Sequence, residues 1–282
     1  MRQRAISAAV LVPVVAIPFV LGNPWLTFGI AALALLGGAE AASLIRRAGL
    51  PADPGIPILL APLAVLGTFF AAGRDAAAAG AVLIVAVAAV ASFRKIDLRS
   101  AFLGWVGGSF GALWVSLIAF VPLVMALAPP IPHDSFLFGK FDAGRVWLLC
   151  LVLTVWACDT FAYLVGQAYP RGRMLPTLSP NKTWSGGIGG TVAAMLVGAV
   201  LFAVLAGVNP FGGALIGFAL AVSAQVGDAA ESLVKRAAGA KDSGTLLPGH
   251  GGILDRIDSF LFAAPALYLL LALGSVLAII RP

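Results

Sequence analysis

The stretch I-G-G-T-V-A-A-M-L-V-G-A-V-L-F-A-V-L-A-G, residues 188–207, decides the class of fold. It contains no charged side chain, and its length is close to the ~20 residues that a helix needs to cross the hydrocarbon core of a bilayer. A transmembrane barrel would instead show segments of about 10 residues with alternating hydrophobicity. The stretch therefore predicts a membrane-spanning helix.

The composition of the whole chain agrees with a membrane protein. Of its 282 residues, 61% are hydrophobic and 11% are charged, whereas a soluble domain carries about 25% charged residues. A chain this apolar has too little polar surface to cover a globule in water. We predict an all-α integral membrane protein, a polytopic bundle of about nine transmembrane helices. The predicted spans are 5–21, 26–45, 56–72, 76–93, 101–128, 145–166, 188–207, 211–236 and 255–280.

The first span and the two cysteines are interpreted as structural. The run 5–21 resembles a signal peptide, but no small-x-small cleavage site precedes Gly22 and further spans follow, so we predict a retained first helix. Cys150 and Cys158 lie in one apolar run and give neither a disulfide framework nor a Cys-rich metal site.

The distribution of Lys and Arg predicts the orientation in the membrane. With the N-terminus in the cytoplasm, 14 of the 18 Lys and Arg residues fall on the inner side and 4 on the outer side. Cytoplasmic segments of membrane proteins carry such an excess. The loops 167–187 and 237–254 then face the cytoplasm, and the C-terminus lies outside. The inner residues are Arg2, Arg4, Arg46, Arg47, Arg94, Lys95, Arg99, Arg171, Arg173, Lys182, Lys235, Arg236, Lys241 and Arg256; the outer residues are Arg74, Lys140, Arg145 and Arg281.

Charged side chains concentrate in the segment S-L-V-K-R-A-A-G-A-K-D-S-G-T-L-L-P-G-H-G-G-I-L-D-R-I-D, residues 232–258. Charges close to a bilayer are costly and mark functional sites. Just upstream, Asp228 and Glu231 are three residues apart on one predicted helix face, and Asp255 and Asp258 repeat this spacing. Carboxylates suit Mg²⁺, and Lys, Arg and a glycine-rich loop suit the phosphates of a nucleotide. The basic residues are Lys235, Arg236, Lys241 and Arg256.

Two further motifs lie upstream. W-A-C-D-T-F-A-Y, residues 156–163, places Asp159 near the cytoplasmic end of its span. S-P-N-K-T-W, residues 179–184, places Lys182 and Thr183 before a helix whose N-terminus can attract anions. Glu40, inside the second span, has no evident partner and receives no role.

These three motifs closely resemble the signature of the phosphatidate cytidylyltransferases, also called CDP-diacylglycerol synthases. Members of that family usually carry Glu where this chain has Ser185, which puts any role for that acid in doubt. The resemblance implies N-terminal membrane spans over 1–144 and catalytic membrane spans over 145–282. It also implies transfer of the cytidylyl group from CTP to phosphatidate, giving CDP-diacylglycerol and pyrophosphate for phospholipid biosynthesis.

The resemblance and the residue chemistry together predict the roles of the site residues. As catalytic residues we predict Asp255, Asp228, Lys235 and Lys241. As substrate-binding residues we predict Ser179, Asn181, Lys182, Thr183, Arg236, His250 and Arg256. As metal ligands we predict Asp228 and Asp255, with Asp159 and Asp258 as second choices.

The expected cofactor is Mg²⁺ or another divalent cation, with an additional monovalent cation as an option. The expected partners are CTP, phosphatidate, the lipid bilayer and a second copy of the chain in a homodimer, and no nucleic acid is expected. We expect a multi-pass protein of the cell inner (plasma) membrane with its active site in the cytoplasm.

Three other classes compete with this interpretation. A CDP-alcohol phosphotransferase would need a D-G-x-x-A-R motif, which does not occur in the sequence. A polyprenol-type lipid kinase would also join CTP to a lipid, but it would transfer the γ-phosphate. A transporter of an anionic substrate would explain charge within the membrane, but not a cluster of acids at one face.

Overall fold

The computed structural model describes residue 13 and residues 15–69, 74–246 and 251–273, with the backbone alone for 74–77. Residues 15–21 are helical. The helices that follow are α1 (Trp25–Arg47), α2 (Gly55–Gly67), α3 (Arg74–Ser92), α4 (Leu98–Ser116), a 3₁₀ turn (Leu117–Ala119), α5 (Phe120–Leu127), α6 (Ala143–Ala168), α7 (Trp184–Ala206), α8 (Pro210–Ala237) and α9 (Leu254–Ala272). Two short strands, β1 (Arg173–Leu175) and β2 (Ser179–Thr183), separate α6 from α7.

The structure supports the prediction of a helical protein with several membrane-spanning helices, but not the predicted number of nine. A helix lies within every predicted span as far as the described residues extend. Within that part of the chain, 5 helices are long and apolar enough to cross a membrane: Trp25–Arg47, Leu98–Leu127, Ala143–Ala168, Trp184–Ala206 and Pro210–Ala237. Nine crossings stay a prediction. The described chain divides into two compact units, one from 1–122 with 231–258 and the other from 123–230 with 259–282. The predicted division into N-terminal membrane spans (1–144) and catalytic membrane spans (145–282) is a division by function, and it stays a prediction.

The first unit is built around α1, α2, α3 and α4, which pack on one another. Helix α1 approaches α2 closely because Gly38 has no Cβ, which would otherwise lie against the carbonyl oxygen of Pro57. Asp97 accepts a hydrogen bond of 2.8 Å from the Ser100 N–H and so caps α4. Hydrogen bonds from the side chain and the backbone N–H of Ser100 lower the pKa of Asp97 below its ordinary value. The last turns of α8 and the first turn of α9 also belong to this unit.

The second unit is built around α6 and α7, which pack along much of their length. A Cβ on Gly190 would lie 2.6 Å from the carbonyl oxygen of Cys158, and one on Gly198 would lie 2.7 Å from that of Gly213. These glycines therefore let helix backbones approach closely. Helix α7 starts at Thr183, whose hydroxyl accepts a hydrogen bond of 3.1 Å from the Gly186 N–H.

The loop 167–187 contains a small β-hairpin that the sequence analysis did not anticipate. Strands β1 and β2 pair antiparallel, with Arg173 opposite Thr183 and Leu175 opposite Ser179. The Trp184 N–H continues this link with a hydrogen bond of 2.8 Å to the Gly172 carbonyl. Strands of three and five residues are too short for a clear period-2 pattern, so composition did not reveal them.

The orientation of the chain is testable with introduced cysteines. Asp134 and Thr245 are both exposed, and the Lys and Arg distribution places them on opposite sides of the membrane. Asp134→Cys should react with an impermeant thiol reagent added outside intact cells, and Thr245→Cys should react only after permeabilisation. The native Cys150 and Cys158 are buried and should add little background. Reaction of both introduced sites from the same side would contradict the topology.

Candidate active site

In the first unit, Lys235 on the last turns of α8 is held between two carboxylates. Its Nζ lies 2.5 Å from Glu231 Oε2, one turn earlier on the same helix, and 2.6 Å from Asp255 Oδ1 in the first turn of α9. The side chain of Glu231 is fully buried, and those of Lys235 and Asp255 are 13% and 11% exposed. Ions this deeply buried must be paired, because removing an isolated charge from water costs several kcal/mol.

The second oxygen of Asp255 fixes the ends of the loop between α8 and α9. Asp255 Oδ2 accepts hydrogen bonds from the Ser243 N–H at 2.9 Å, the Ser243 hydroxyl at 2.9 Å and the Gly252 N–H at 2.8 Å. A Cβ on Gly251, which has a φ of +77°, would lie 2.5 Å from the same oxygen. The carboxylate therefore sits in a cradle of donors that a larger side chain at this glycine would fill.

Glu40 of α1 is a functional candidate to which the sequence analysis gave no role. Its carboxylate accepts hydrogen bonds from the N–H groups of Ile253 at 3.0 Å and Leu254 at 2.9 Å. It also lies 2.9 Å from the Ser243 hydroxyl, whose single hydrogen Glu40 Oε2 and Asp255 Oδ2 share. The only sequence signal was an acid inside an apolar helix. Ser243 was missed as well, although it stands within the signature segment.

The other predicted cations of this unit are at its surface. Lys241, Arg236 and Arg256 are exposed. Arg236 Nη1 donates a hydrogen bond of 3.0 Å to the Ala240 carbonyl, and so reaches back over the start of the loop. Asp258 lies one turn beyond Asp255 and is half-buried. His250 lies outside the described residues.

In the second unit, the acids and the basic residue of the upstream motifs come together. Lys182 Nζ at the end of β2 lies 2.6 Å from Asp228 Oδ2 on α8. Asp159 on α6 interacts electrostatically with both Asp228 and Lys182. The side chains of Lys182 and Asp228 are 25% and 38% exposed, so a ligand can reach them. Lys235, Glu231 and Asp255 are more deeply buried. Strand β2 also carries Ser179, which is half-buried, and the exposed Asn181.

Ser185 has a structural function in this unit. Its hydroxyl donates a hydrogen bond to the Tyr169 carbonyl and accepts one of 3.2 Å from the Arg171 N–H. It therefore joins the start of α7 to the chain that leaves α6. Ser185 therefore anchors the chain locally at this position.

Gln225, one turn before Asp228 on α8, was not predicted. Its Nε2 donates hydrogen bonds to Thr191 Oγ1 at 3.0 Å and to the Gly187 carbonyl at 3.4 Å. These bonds hold the glycine-rich first turns of α7 against the part of α8 that carries Asp228. A lone Gln among apolar residues was the available signal, because polar side chains in such helices need partners.

The arrangement suits the binding of a phosphorylated ligand rather than a metal held by protein alone. Among the residues that the structure describes, no group of three or more His, Cys, Asp and Glu side chains could hold a metal ion. Mg²⁺ is commonly bound by one or two carboxylates together with substrate phosphates. The neighbouring acids Asp159 and Asp228 fit that pattern.

Fold and site together define a helical protein with several apolar helices of membrane-spanning length, which carries buried acid–lysine pairs and exposed cations next to a glycine-containing loop. A model of the cytidylyltransferase family matches residues 2–274. This match covers most of the chain, and the chain belongs to the cytidylyltransferase family.

Three curated relatives agree with this assignment. The chain is 45% identical over 135 residues to the phosphatidate cytidylyltransferase of Brucella abortus biovar 1 (strain 9-941), with 48% of this chain and 50% of that protein covered. It is 40% identical over 159 residues to that of Mycobacterium leprae (strain TN), with 56% and 49% covered. It is 36% identical over 159 residues to that of Mycobacterium tuberculosis (strain ATCC 25618 / H37Rv), with 56% and 46% covered. The chain thus spans about half the length of the curated relatives it matches, and the predicted kinship is confirmed.

Proposed function

We propose that this protein transfers the cytidylyl group from CTP to phosphatidate, giving CDP-diacylglycerol and pyrophosphate. The proposal draws on the family and on the names of the relatives. The structural observation that carries it is the group of exposed cations Arg236, Lys241 and Arg256, which stand at the loop whose two ends are held by Asp255. Such a group suits two polyanionic substrates, one from water and one from the bilayer.

The reaction needs charge neutralisation more than proton transfer. A phosphate oxygen of phosphatidate attacks the α-phosphorus of CTP, and the bond from that phosphorus to the bridging oxygen breaks, so that pyrophosphate leaves with the electron pair. The nucleophile is already an anion and requires no strong base. Positioned cations stabilise the charge that develops on the leaving group, which is usually the largest contribution to catalysis. We propose Lys241, Arg236 and Arg256 for this role. The proposed substrate-binding residues further include Lys182, Ser179, Asn181, Thr183 and His250.

We keep Mg²⁺ as the proposed divalent cofactor. Asp228 and Asp255 stay the proposed ligands, with Asp159 and Asp258 as second choices; of these, Asp159 and Asp228 lie in the same unit. When bound, the ion would neutralise phosphate charge and orient the triphosphate. Both oxygens of Asp255 have partners in the structure, Oδ2 in Ser243 and Gly252 and Oδ1 in Lys235, so a metal ion at Asp255 would have to replace one of them.

The setting of the enzyme is also proposed. The Lys and Arg distribution supports an inner-membrane protein with its N-terminus and active site in the cytoplasm, where CTP is found. We also propose a homodimer, on the basis of the family resemblance.

Differently labelled CTP tests the reaction. Purified full-length protein should move label from α-³²P CTP into lipid in mixed micelles that contain phosphatidate, and it should move none from γ-³²P CTP. Label from the γ position would instead indicate a lipid kinase acting on the phosphatidate or on added polyprenol. Protein that labels no lipid from either position, but takes up an anion in vesicles, would indicate a transporter.

A further inference from the structure

Glu40 is the one acid of α1, a helix that is otherwise apolar until its last residues. A carboxylate in such a place is costly unless hydrogen bonds compensate for the loss of water. Its three donors are all uncharged: the hydroxyl of Ser243 and the N–H groups of Ile253 and Leu254. The contacts are therefore with the loop and the start of α9, and among the residues that the structure describes Glu40 forms no salt bridge.

The two N–H groups belong to the beginning of α9, where helices have donors without an intrahelical acceptor. Such donors are usually satisfied by a side chain at the helix start itself. Here the acceptor comes from α1, at a sequence separation of 213 and 214 residues. Glu40 therefore joins α1, which lies in the second predicted span, to the charged segment 232–258.

The surrounding backbone is built closely around this carboxylate. A Cβ on Gly252 would lie against Glu40 Oε2, and a Cβ on Gly244 would lie against Glu40 Oε1. On the turn before Glu40, a Cβ on Gly37 would lie 3.3 Å from Leu254 Cδ2 and 3.5 Å from Ile257 Cδ1. Helix α1, the loop and α9 thus leave room for the carboxylate and for little else.

Ser243 connects Glu40 to Asp255. Its hydroxyl oxygen lies 2.9 Å from Glu40 Oε2 and 2.9 Å from Asp255 Oδ2, and Asp255 in turn holds Lys235. We propose that Glu40 is a positioning residue of the active site, which orients Asp255 and Lys235 through Ser243 and through the start of α9. This inference rests on the proposed cytidylyl transfer. Its alternative is a helix cap that contributes stability alone.

The test compares Glu40→Gln with a matched control. Gln keeps the shape, but its amide turns an N–H₂ group toward one of the three donors, so at least one bond is lost. The control is Asp53→Asn, because Asp53 also uses a carboxylate to accept a helix-start N–H, that of Gly55 at 2.9 Å, and its bond links neighbouring residues rather than α1 and the loop. For both variants of the full chain, kcat, KM for CTP, the melting temperature and amide hydrogen exchange in 251–256 are measured.

We expect Glu40→Gln to lower kcat by about 10- to 100-fold, as removal of a group that orients an active-site ligand commonly does. KM for CTP should change little, because Glu40 contacts none of the exposed cations. Exchange of the Ile253 and Leu254 amides should accelerate. Asp53→Asn should change neither kcat nor that exchange. If Glu40→Gln does not fold, Ser243→Ala, which removes only the shared hydroxyl, should lower kcat in the same way.

If the wild-type protein transfers the label, two results for Glu40→Gln would overturn the proposal. Unchanged exchange at Ile253 and Leu254 would show that Glu40 does not hold the start of α9. Faster exchange and a lower melting temperature with wild-type kcat would leave Glu40 as a helix cap. Wild-type protein that transfers no label would overturn the proposed reaction and, with it, the role of Glu40. An active wild type whose Glu40→Gln variant is equally active would overturn the role of Glu40 alone.

Discussion

Replacement of Asp255 by Asn should abolish turnover, with a decrease in kcat of at least about 100-fold, equivalent to about 2.7 kcal/mol of transition-state stabilisation. Asn has one acceptor oxygen where Asp255 uses two. Either the Lys235 ammonium, 2.6 Å from Oδ1, or the three donors at Oδ2 would face an amide N–H₂ group. The variant would also lose an oxygen proposed for the metal.

The protein should remain folded after this change. Lys235 keeps Glu231 at 2.5 Å, so its buried charge still has a partner. Initial rates of label transfer from α-³²P CTP, together with melting curves, provide the measurement. Asp142→Asn is the matched control, because Asp142 also starts a helix and pairs with a nearby cation, Arg145 at 2.5 Å, but lies in the other unit. Near-normal turnover of folded Asp255→Asn with Mg²⁺ would remove Asp255 from the catalytic machinery.

Helices were the most predictable feature of the chain. In a bilayer the backbone must satisfy its own hydrogen bonds, so an apolar run of sufficient length has few alternatives to a helix. The run 188–207 lies within α7 (Trp184–Ala206) except for Gly207, which ends the helix, and 211–236 lies within α8 (Pro210–Ala237). Breaks inside a run were not predictable: 101–128 contains a 3₁₀ turn at Leu117–Ala119, because the run shows no turn residue there.

The site was predictable where its residues are neighbours in sequence. Lys235 and Glu231 are one helical turn apart, and this spacing alone places them together. Lys182 and Asp228 also meet, although the sequence analysis assigned Lys182 to a phosphate and Asp228 to a metal, and had no way to foresee that they pair with each other.

Long-range contacts could not be derived from the sequence. Glu40 and its donors are separated by more than half of the chain, and nothing in the pattern of α1 specifies which N–H groups it meets. Ser185 illustrates the same limit, because its bonds to Tyr169 and Arg171 depend on the hairpin that precedes α7. A motif therefore locates a site, and the tertiary fold decides which acids touch substrates and which hold the loop.

Lys241 is the exposed cation with which phosphate binding can be tested. Lys241 and Asp242 are adjacent and both exposed, and among the described residues Lys241 forms no ion pair. A surface pair between them would contribute only about 0–1 kcal/mol in any case. Lys241 is therefore available for a phosphate of CTP, where a partly dehydrated setting strengthens the interaction.

Lys241→Ala should lower kcat/KM for CTP by about 10- to 100-fold, since a hydrogen bond to a charged group contributes about 1.5–3 kcal/mol. The melting temperature of the detergent-solubilised protein should change little, because the side chain is exposed and unpaired among the described residues. Lys241→Arg should restore activity only in part, since guanidinium and ammonium groups differ in shape and donor geometry. Lys140→Ala, which removes another exposed lysine from a loop predicted to lie outside, should leave kcat/KM unchanged. If Lys241→Ala instead unfolds the protein, and the additional change Asp242→Ala restores both folding and rate, then the two residues form a structural pair and Lys241 does not bind CTP.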